Sequence, residues 1–272
     1  MPSAAPLPPL AVLPTRRAKT LHLIRHAEGF HNVAGALDRA SYKEERFFDA
    51  HLTARGWEQA RRARLWMEDG RRVRPGVVLT SPLARALETA VALFGGRDLA
   101  REEDLEAEGG LLMRAQDAEP GVRGGHRAVS ARGAPPFAAV ELARERFGVH
   151  PCDRRRPLSG KRRQYPGVDF DAHPSTDHDA LWQPDARESE AEIRARAMAL
   201  LQLVASGRVE EELALVSHAS LLRHLLAAAV PAHLASAPSR LKTVRDTEDA
   251  DGPGLVEPFE NAELRTVVLV SP

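Results

Sequence analysis

Short apolar runs alternate with amphipathic stretches along most of this chain. The apolar runs predict buried β-strands over residues 20–24, 76–80, 137–140, 213–217 and 263–270. Helical periodicity predicts helices over residues 53–69, 83–94, 188–205 and 220–229, and residues 141–147 fit a further short helix. Because strands that alternate with helices are typical of an α/β domain, we predict a largely parallel central sheet flanked by helices.

Three segments interrupt this pattern. Residues 107–134 are rich in glycine and polar side chains and are predicted to form a long excursion outside the core. Residues 152–187 are dense in arginine, aspartate and proline and predict an irregular lobe over the core, and residues 231–260 predict another long loop. The proline-rich residues 1–18 predict a disordered tail, so that a single domain spans residues 19–272.

The composition is that of an ordinary soluble globular protein. Of the 272 residues, 43% are hydrophobic and 28% are charged. Basic and acidic residues number 38 each, and this balance argues against a nucleic-acid partner, which would favour a basic excess. No apolar stretch approaches the roughly 20 residues of a membrane-spanning helix, so we expect no membrane partner.

Cysteine usage and the tail bear on location. Cys152 is the only cysteine, which excludes an intrachain disulfide and an all-cysteine metal site and fits the reducing cytoplasm. The tail lacks acidic residues and ends in basic ones, a composition that leaves organelle targeting open. Oligomeric state has no signature in the sequence.

Polar side chains stand at the carboxyl ends of three predicted strands. Arg25 and His26 follow the first strand, Ser81 follows the second, and His218 follows the run at 213–217. The carboxyl edge of an open parallel sheet is where ligands bind, so we expect these side chains to converge. Arg85 lies one helical turn beyond the second strand and would join them.

Arginine and histidine together suit a phosphate ligand. A guanidinium group presents a fixed fork that matches phosphate oxygens, and an imidazole can attack phosphorus. Taken singly, each residue would have a structural or solvated role, but their joint placement predicts a phosphoryl-transfer pocket without a metal or cofactor. His22 and His26 have the spacing of two helical metal ligands, but residues 20–24 are predicted as a strand.

These residues lie in motifs that resemble the histidine phosphatase superfamily, which includes the phosphoglycerate mutases. The motifs are LIRHAE at 23–28 with Asn32, LTARG at 52–56 with Gln59, SPLARA at 81–86 with Thr89, RES at 187–189 and VSH at 216–218. The runs VHPCDRRR at 149–156 and FENAELR at 259–265 look like plant and fungal phosphoglycerate mutase-like proteins. The resemblance implies a three-layer α/β sandwich whose insertions form a lobe over the site.

The resemblance also implies a role for each matching residue. His26 would be the nucleophile that forms a phosphohistidine. The phosphoryl oxygens would be held by Arg25, Asn32, Arg85 and His218. A carboxyl group should protonate the leaving oxygen, and there are two candidates. Glu145 is preferred because it sits in an Arg-Glu pair three residues before Gly148, whereas Glu141 directly follows the predicted strand at 137–140.

Departures from the family pattern guide the choice of reaction. Ala27 replaces the signature glycine, Gly29 stands where the mutases carry a serine that assists phosphate binding, and the acid motif differs from theirs. We therefore predict a phosphomonoester hydrolase acting on a small phosphorylated metabolite. The alternatives are a mutase-type phosphotransferase and a catalytically inactive relative that binds phosphorylated partners. The arginines at 154–156 would contact either an anionic substrate or solvent.

Overall fold

A six-stranded sheet forms the centre of the molecule. The computed structural model describes residues 18–69, 73–99, 110–173, 175–206, 209–229 and 258–270. Its strands are β1 (Ala18–Arg25), β2 (Val77–Thr80), β3 (Asp98–Leu99), β4 (Leu111–Met113), β5 (Ala128–Ser130), β6 (Phe137–Ala139), β7 (Val168–Asp169), β8 (Glu212–Ser217) and β9 (Leu264–Val270). Its α-helices are α1 (Phe30–Leu37), α2 (Ala54–Glu68), α3 (Ala84–Phe94), α4 (Leu158–Gln164), α5 (Glu190–Ser206) and α6 (Ala219–Ala229). Short 3-10 helices lie at Arg39–Lys43, Glu45–Phe47, Glu141–Ala143 and Pro151–Asp153.

The strand order of the main sheet is β7-β6-β2-β8-β1-β9. Every neighbouring pair is parallel except β1 and β9, so the largely parallel sheet is confirmed. Arg25 pairs in register with Ser217, and Thr80 pairs with both Val216 and Ala139. The carboxyl ends of four adjacent strands therefore lie at one level of the sheet edge.

Helices cover both faces of this sheet. Side chains alternate along β1, so that Leu21 and Leu23 pack against the α5 and α6 side. Ile24 points the other way and packs with Trp57 of α2 and Leu87 of α3. All of these side chains are buried. The predicted arrangement of helices on both faces of the sheet is therefore confirmed. None of the described helices is both long and apolar enough to cross a bilayer.

Two local predictions differ from the structure. Helix α1 was not expected, because its sequence FHNVAGAL is short and contains glycine and asparagine, which weaken the helical pattern. The helix predicted over residues 141–147 is wrong, since only Glu141–Ala143 forms a 3-10 turn. The chain is extended at Arg144, whose guanidinium is fully buried and pairs with Glu141 and Asp179.

The prediction that residues 107–134 lie outside the core is also wrong for the residues described from 110 onward. Strands β4 and β5 lie within this segment and form, together with β3, a separate three-stranded sheet. Leu112 and Met113 are 1% and 0% exposed and join the core cluster of α2 and α3. The apolar runs are only three residues long and flanked by glycine-rich sequence, so their pattern is too short to indicate a strand.

The lobe at 152–187 is more regular than expected. It contains helix α4 and strand β7, which pairs with β6 and extends the main sheet by one strand. Tyr165 and Phe170 from this segment are buried in the core. The disordered tail predicted over residues 1–18 lies outside the described residues except at Ala18, where the prediction is wrong because this residue begins β1. The long loop predicted over 231–260 lies outside them except at 258–260.

Candidate active site

The carboxyl edge of the sheet brings the two predicted histidines together. His26 follows β1 and its backbone N–H donates to the carbonyl of Ser217 at 2.9 Å. His218 follows β8, and the centroids of the two imidazole rings are 5.1 Å apart with a 56° tilt. Both rings are buried, with exposed fractions of 2% and 0%. The convergence predicted from strand ends is therefore found in the structure.

Hydrogen bonds fix the proton on the His26 ring. Nδ1 lies 2.7 Å from the carbonyl oxygen of Ala27, which can only accept, so Nδ1 carries the hydrogen. Nε2 accepts from Nε of Arg85 at 3.2 Å, which directs its lone pair toward the arginine. Burial, followed by the charges of Arg85 and Arg25, holds the pKa of His26 well below 6.5. The imidazole is thus neutral near pH 7, and the unprotonated Nε2 can attack phosphorus once its hydrogen bond from Arg85 is exchanged.

Arg85 is oriented by the lobe. Its Nη1 donates to the carbonyl of Cys152 at 2.5 Å, and its Nη2 donates to Oδ1 of Asp153 at 2.8 Å. The other carboxylate oxygen of Asp153 accepts from Arg187 at 2.9 Å. The remaining Nε–H of Arg85 points at His26. Asp153 was not predicted as a site residue, although the HPCD motif that contains it was a usable signal.

The C-terminal segment anchors the other arginine. Nη1 of Arg25 donates to the carbonyl of Phe259 at 2.6 Å, and its Nε is buried without a partner in the structure. Asn261 donates from Nδ2 to the carbonyl of His26 at 3.0 Å. Burial lowers the pKa of Arg25, against the opposing charges of Glu145 and Glu260. The run at 259–265 therefore contributes directly to the shape of the site. Its resemblance to the plant and fungal proteins did not by itself indicate this contribution.

Asn32 lies beside the nucleophile at the start of α1. Its Oδ1 accepts from the backbone N–H of Gly29 at 3.0 Å and lies 3.5 Å from Nδ2 of Asn261. The structure thus gives this side chain a capping role. Its contact with a phosphoryl oxygen stays a prediction.

Ser81 positions His218. Nε2 of His218 lies 2.8 Å from Oγ of Ser81, which also accepts from the backbone N–H of Leu83 at 3.3 Å. Nδ1 of His218 is buried and has no partner within the described chain. Burial, followed by the charge of Arg85, holds the pKa of His218 well below 6.5. His218 therefore enters the pocket as a neutral group with one ring nitrogen available.

The two candidate acids, Glu141 and Glu145, have different surroundings in the structure. Glu141 is 7% exposed and lies between two guanidinium groups, 3.0 Å from Nη1 of Arg144 and 2.7 Å from Nε of Arg155. Glu145 is half-buried, and its Oε2 accepts from the backbone N–H of Ser220, two residues after His218, at 3.3 Å. Glu145 thus borders the pocket, whereas Glu141 is held in ion pairs.

The other motif residues hold the loop that follows the nucleophile. Oγ1 of Thr89 accepts from the backbone N–H of Ala27 at 2.9 Å, and Oε1 of Gln59 accepts from that of Glu28 at 2.9 Å. Gly56 packs so closely on the carbonyl of Glu28 that any Cβ would collide with it. These motifs therefore fix the backbone on which His26 stands.

His31 is a pocket residue that the sequence did not single out. It is 4% exposed, and the centroid of its ring is 5.6 Å from that of His26. Burial, followed by the charges of Arg85 and Arg25, holds its pKa well below 6.5. Its position between His26 and Asn32 in the sequence could have indicated a place in the pocket. A lone histidine on a weakly patterned helix, however, is usually structural.

The arginines at 154–156 have structural contacts. Arg155 is 3% exposed and donates to the carbonyls of Asp177 and Thr176, both at 2.9 Å. The guanidinium groups of Arg154 and Arg156 lie 4.1 and 4.7 Å from the ring centre of Phe48. This run supports the lobe and does not approach the pocket through these contacts.

Histidines outside the pocket are held by other partners. The ring of His22 bonds to Oγ1 of Thr266 at 2.9 Å and to Glu212 at 3.1 Å. Across the described ranges, no group of three or more His, Cys, Asp or Glu side chains is arranged to hold a metal ion.

Comparison with known proteins agrees with the site. The family model of the histidine phosphatase superfamily (branch 1) matches residues 21–108 and 162–243. The chain belongs to this superfamily. A phosphoglycerate mutase-like protein of Arabidopsis thaliana is 40% identical over 218 residues, which cover 80% of this chain and 77% of that protein. Membership of the superfamily indicates phosphatase or mutase activity.

Fungal relatives and solved structures are also similar to this superfamily member. A probable phosphoglycerate mutase of Arthroderma benhamiae is 30% identical over 226 residues, covering 77% of this chain and 58% of that protein. The ecdysone phosphate phosphatase from Bombix mori, solved with tungstate, has a TM-score of 0.49 and 16% identity, covering 91% and 88% of the two chains.

Proposed function

We propose that this protein hydrolyses the phosphomonoester of a small phosphorylated metabolite through a phosphohistidine formed on His26. One observation carries this proposal: Nε2 of the neutral, buried His26 accepts a hydrogen bond from Nε–H of Arg85. Arg25 and His218 line the same pocket. This arrangement offers a nucleophile and positive charge at one point. Positioning and charge supply most of the catalysis of phosphoryl transfer.

In the first step, Nε2 of His26 attacks phosphorus while the bond to the leaving oxygen breaks. The Nδ1–H bond to the carbonyl of Ala27 holds the ring in the reactive orientation and stabilises the positive charge that develops on it. Arg25, Asn32, Arg85 and His218 hold the phosphoryl oxygens. Glu145 gives its proton to the leaving oxygen, which departs as an alcohol.

In the second step, water attacks the phosphorus of the phosphohistidine and the P–N bond breaks. Glu145, now a carboxylate, takes the proton of that water. The products are inorganic phosphate and the restored imidazole, so one water is consumed for each ester cleaved. No metal or cofactor takes part in this scheme, and full activity after exhaustive chelation is expected.

Residue 29 supports hydrolysis over mutase chemistry. The mutases that this chain resembles carry a serine there, but a Cβ added to Gly29 would lie 2.8 Å from both Nδ1 and Cε1 of His31. A serine would therefore displace the His31 ring. The pocket of this chain differs from the mutase pattern at the position that assists phosphate binding.

A phosphate-release screen tests the proposal. It should cover sugar phosphates, nucleotides, phosphopeptides and phosphoglycerates, the last because relatives bear mutase names. We expect release from a small metabolite and an acid-labile label on the enzyme during turnover. Rapid interconversion of 2- and 3-phosphoglycerate with little phosphate release would establish the mutase instead. Binding of phosphorylated ligands without turnover of any ester would establish the inactive relative.

A further inference from the structure

His31 has an unexplained polar atom. Its Nδ1 is buried and has no hydrogen-bond partner in the part of the chain that the structure describes. Buried ring nitrogens are nearly always paired, because an unpaired one loses its bond to water without replacement. Outside the pocket, His22 and His224 follow that rule through both ring nitrogens. Within the pocket, Nδ1 of His31 and Nδ1 of His218 both lack a partner among the described residues, which points to a partner that arrives with a ligand.

The surroundings of His31 indicate what that ligand is. The ring lies 5.6 Å from that of His26, and the charges of Arg85 and Arg25 act on it strongly enough to lower its pKa. The ring of Tyr42 closes the opposite side, with centroids 6.0 Å apart. His31 therefore stands where the proposed anion would bind.

Two glycines hold the ring in place. The edge of His31 that carries Nδ1 and Cε1 packs on Gly29, where a Cβ would come within 2.8 Å of both atoms. Gly35 makes room for Tyr42, since a Cβ there would collide with the tyrosine ring. The imidazole is thus fixed before any ligand arrives, and a preorganised donor loses little entropy on binding.

We propose that His31 is a further phosphate-binding residue, whose Nδ1–H donates a hydrogen bond to an oxygen of the bound phosphoryl group. This inference rests on the proposed function, because it places a second donor in the same pocket. A neutral donor orients the anion without adding to the charge of the two arginines. The ligand class is a phosphomonoester or free phosphate.

Binding of inorganic phosphate to the full chain, measured by calorimetry, tests this role. His31→Phe keeps a ring against Gly29 and Tyr42 but removes both nitrogens. A hydrogen bond to a charged group has a strength that corresponds to about a 10- to 100-fold rise in the Kd for phosphate. His22→Phe is the matched control: it removes a buried, fully bonded histidine outside the pocket and should lower stability without changing that Kd.

A second perturbation keeps His31 and moves it. Gly29→Ala adds the Cβ that displaces the ring and should raise the Kd for phosphate to a similar extent. In a His31→Ala background the same change meets only the carbonyl of His51, at 3.1 Å, and should raise the Kd for phosphate little further, a non-additivity that purely local strain would not give. His31→Asn should recover part of the affinity through its amide donor.

The outcomes separate the two proposals. If the wild type binds phosphate and a folded His31→Phe binds it equally well, the role of His31 is overturned while the proposed function stands. If His31→Phe does not fold, the Kd values for phosphate of Gly29→Ala and His31→Asn test the role of His31 instead. If the wild type neither binds phosphate nor releases it from any ester, the proposed function itself fails.

Discussion

Two clusters of buried polar groups contact helix α3, and they are built on opposite principles. In the cluster behind the pocket each charge meets its counterpart: Asp49 pairs with Lys161 at 2.6 Å, and Glu88 accepts from Nδ1 of His51 at 2.5 Å. In the pocket, by contrast, buried nitrogens of three basic side chains have no partner among the described residues. They are Nε of Arg25, Nδ1 of His31 and Nδ1 of His218.

The pKa shifts express the same difference. Burial alone would raise the pKa of Asp49, but the charge of Lys161 and two backbone N–H bonds lower it to about 2. In the pocket burial lowers the pKa of His26, His31 and His218, and the arginine charges act in the same direction. The pocket leaves buried nitrogens of Arg25, His31 and His218 without a partner among the described residues, which suits an anionic ligand, whereas the paired cluster serves as scaffold.

The scaffold nevertheless acts on the pocket through its geometry. Oδ1 of Asp49 accepts from the backbone N–H of Ala84 at 2.8 Å, at the first residue of α3 and immediately before Arg85. Glu88 stands one turn further along the same helix and accepts from the backbone N–H of Leu52 at 2.7 Å. The balanced cluster therefore fixes the helix that carries Arg85.

The largest expected effect is on the nucleophile. His26→Ala should reduce turnover to background, because it removes the Nε2 that lies 3.2 Å from Nε of Arg85 and attacks phosphorus in the proposed mechanism. Its melting temperature should stay close to that of the wild type, since the unfolding free energy depends on the balanced cluster behind it. Phosphate release and acid-labile labelling measure the first effect, and calorimetry measures the second. Full activity in the variant would end the mechanism.

The next effect separates the two glutamates. Glu145→Gln should slow alkyl phosphates by about 10²- to 10⁴-fold, the usual contribution of a general acid. Nitrophenyl phosphate should be slowed far less, because its leaving group needs little protonation. Glu141→Gln, in contrast, should lower the unfolding free energy, since its carboxylate joins Arg144 and Arg155, and should slow both substrates equally. A leaving-group dependence in Glu141→Gln alone would exchange the two roles.

The pocket was largely predictable because its main residues follow strand ends. Apolar runs located β1 and β8, and the rule that ligands bind at the carboxyl edge then placed Arg25, His26 and His218 together. Helix α3 was also clear from its periodicity, which brought in Arg85. Glu145 was preferred from its Arg-Glu pair before Gly148, but its hydrogen bond to the backbone of Ser220, far along the chain, needed the structure.

Other parts of the site were hidden for physical reasons. Asp153 acts through a contact between the lobe and α3, 68 residues apart, and the HPCD motif that contains it does not indicate Arg85 as its partner. Phe259 contributes a backbone carbonyl, so its side-chain type gives no signal. His31 lies on a short glycine-containing helix without a clear hydrophobic stripe. Strands β4 and β5 were missed because three-residue runs have no measurable period.

Breaking the scaffold should affect stability more than chemistry. Asp49→Ala leaves Lys161 buried without its partner. Removal of one member of a buried ion pair costs about 3–5 kcal/mol of unfolding free energy. The folded fraction should retain measurable turnover, because the nucleophile is intact. Denaturant titration measures the unfolding free energy. The control is Asp171→Ala, at a side chain that is 83% exposed, which should change this free energy by about 0.5 kcal/mol or less.

The smallest effect concerns how stability depends on pH, measured without phosphate in the buffer. The folded pKa of His31 lies well below 6.5, so the unfolded chain takes up its proton first as the pH falls. The unfolding free energy contributed by this residue is therefore fully present above about pH 6.5 and falls as the pH drops from there toward the folded pKa. The slope for one such group is about 1.4 kcal/mol per pH unit.

His31→Phe should therefore flatten the pH dependence by about that slope between pH 6.5 and the folded pKa, as urea titrations at several pH values would show. Asp49→Asn provides the contrast, because the stabilisation by Asp49 is present above 3.8 and is lost only as the pH falls toward 2. Asp49→Asn should have a lower unfolding free energy than the wild type by the same amount at every pH from 5 to 7. The slope of unfolding free energy against pH should therefore be unchanged in this range. A wild-type slope retained in His31→Phe would mean that this imidazole is already charged in the folded protein. Its place as a neutral donor in an unbalanced pocket would then be lost.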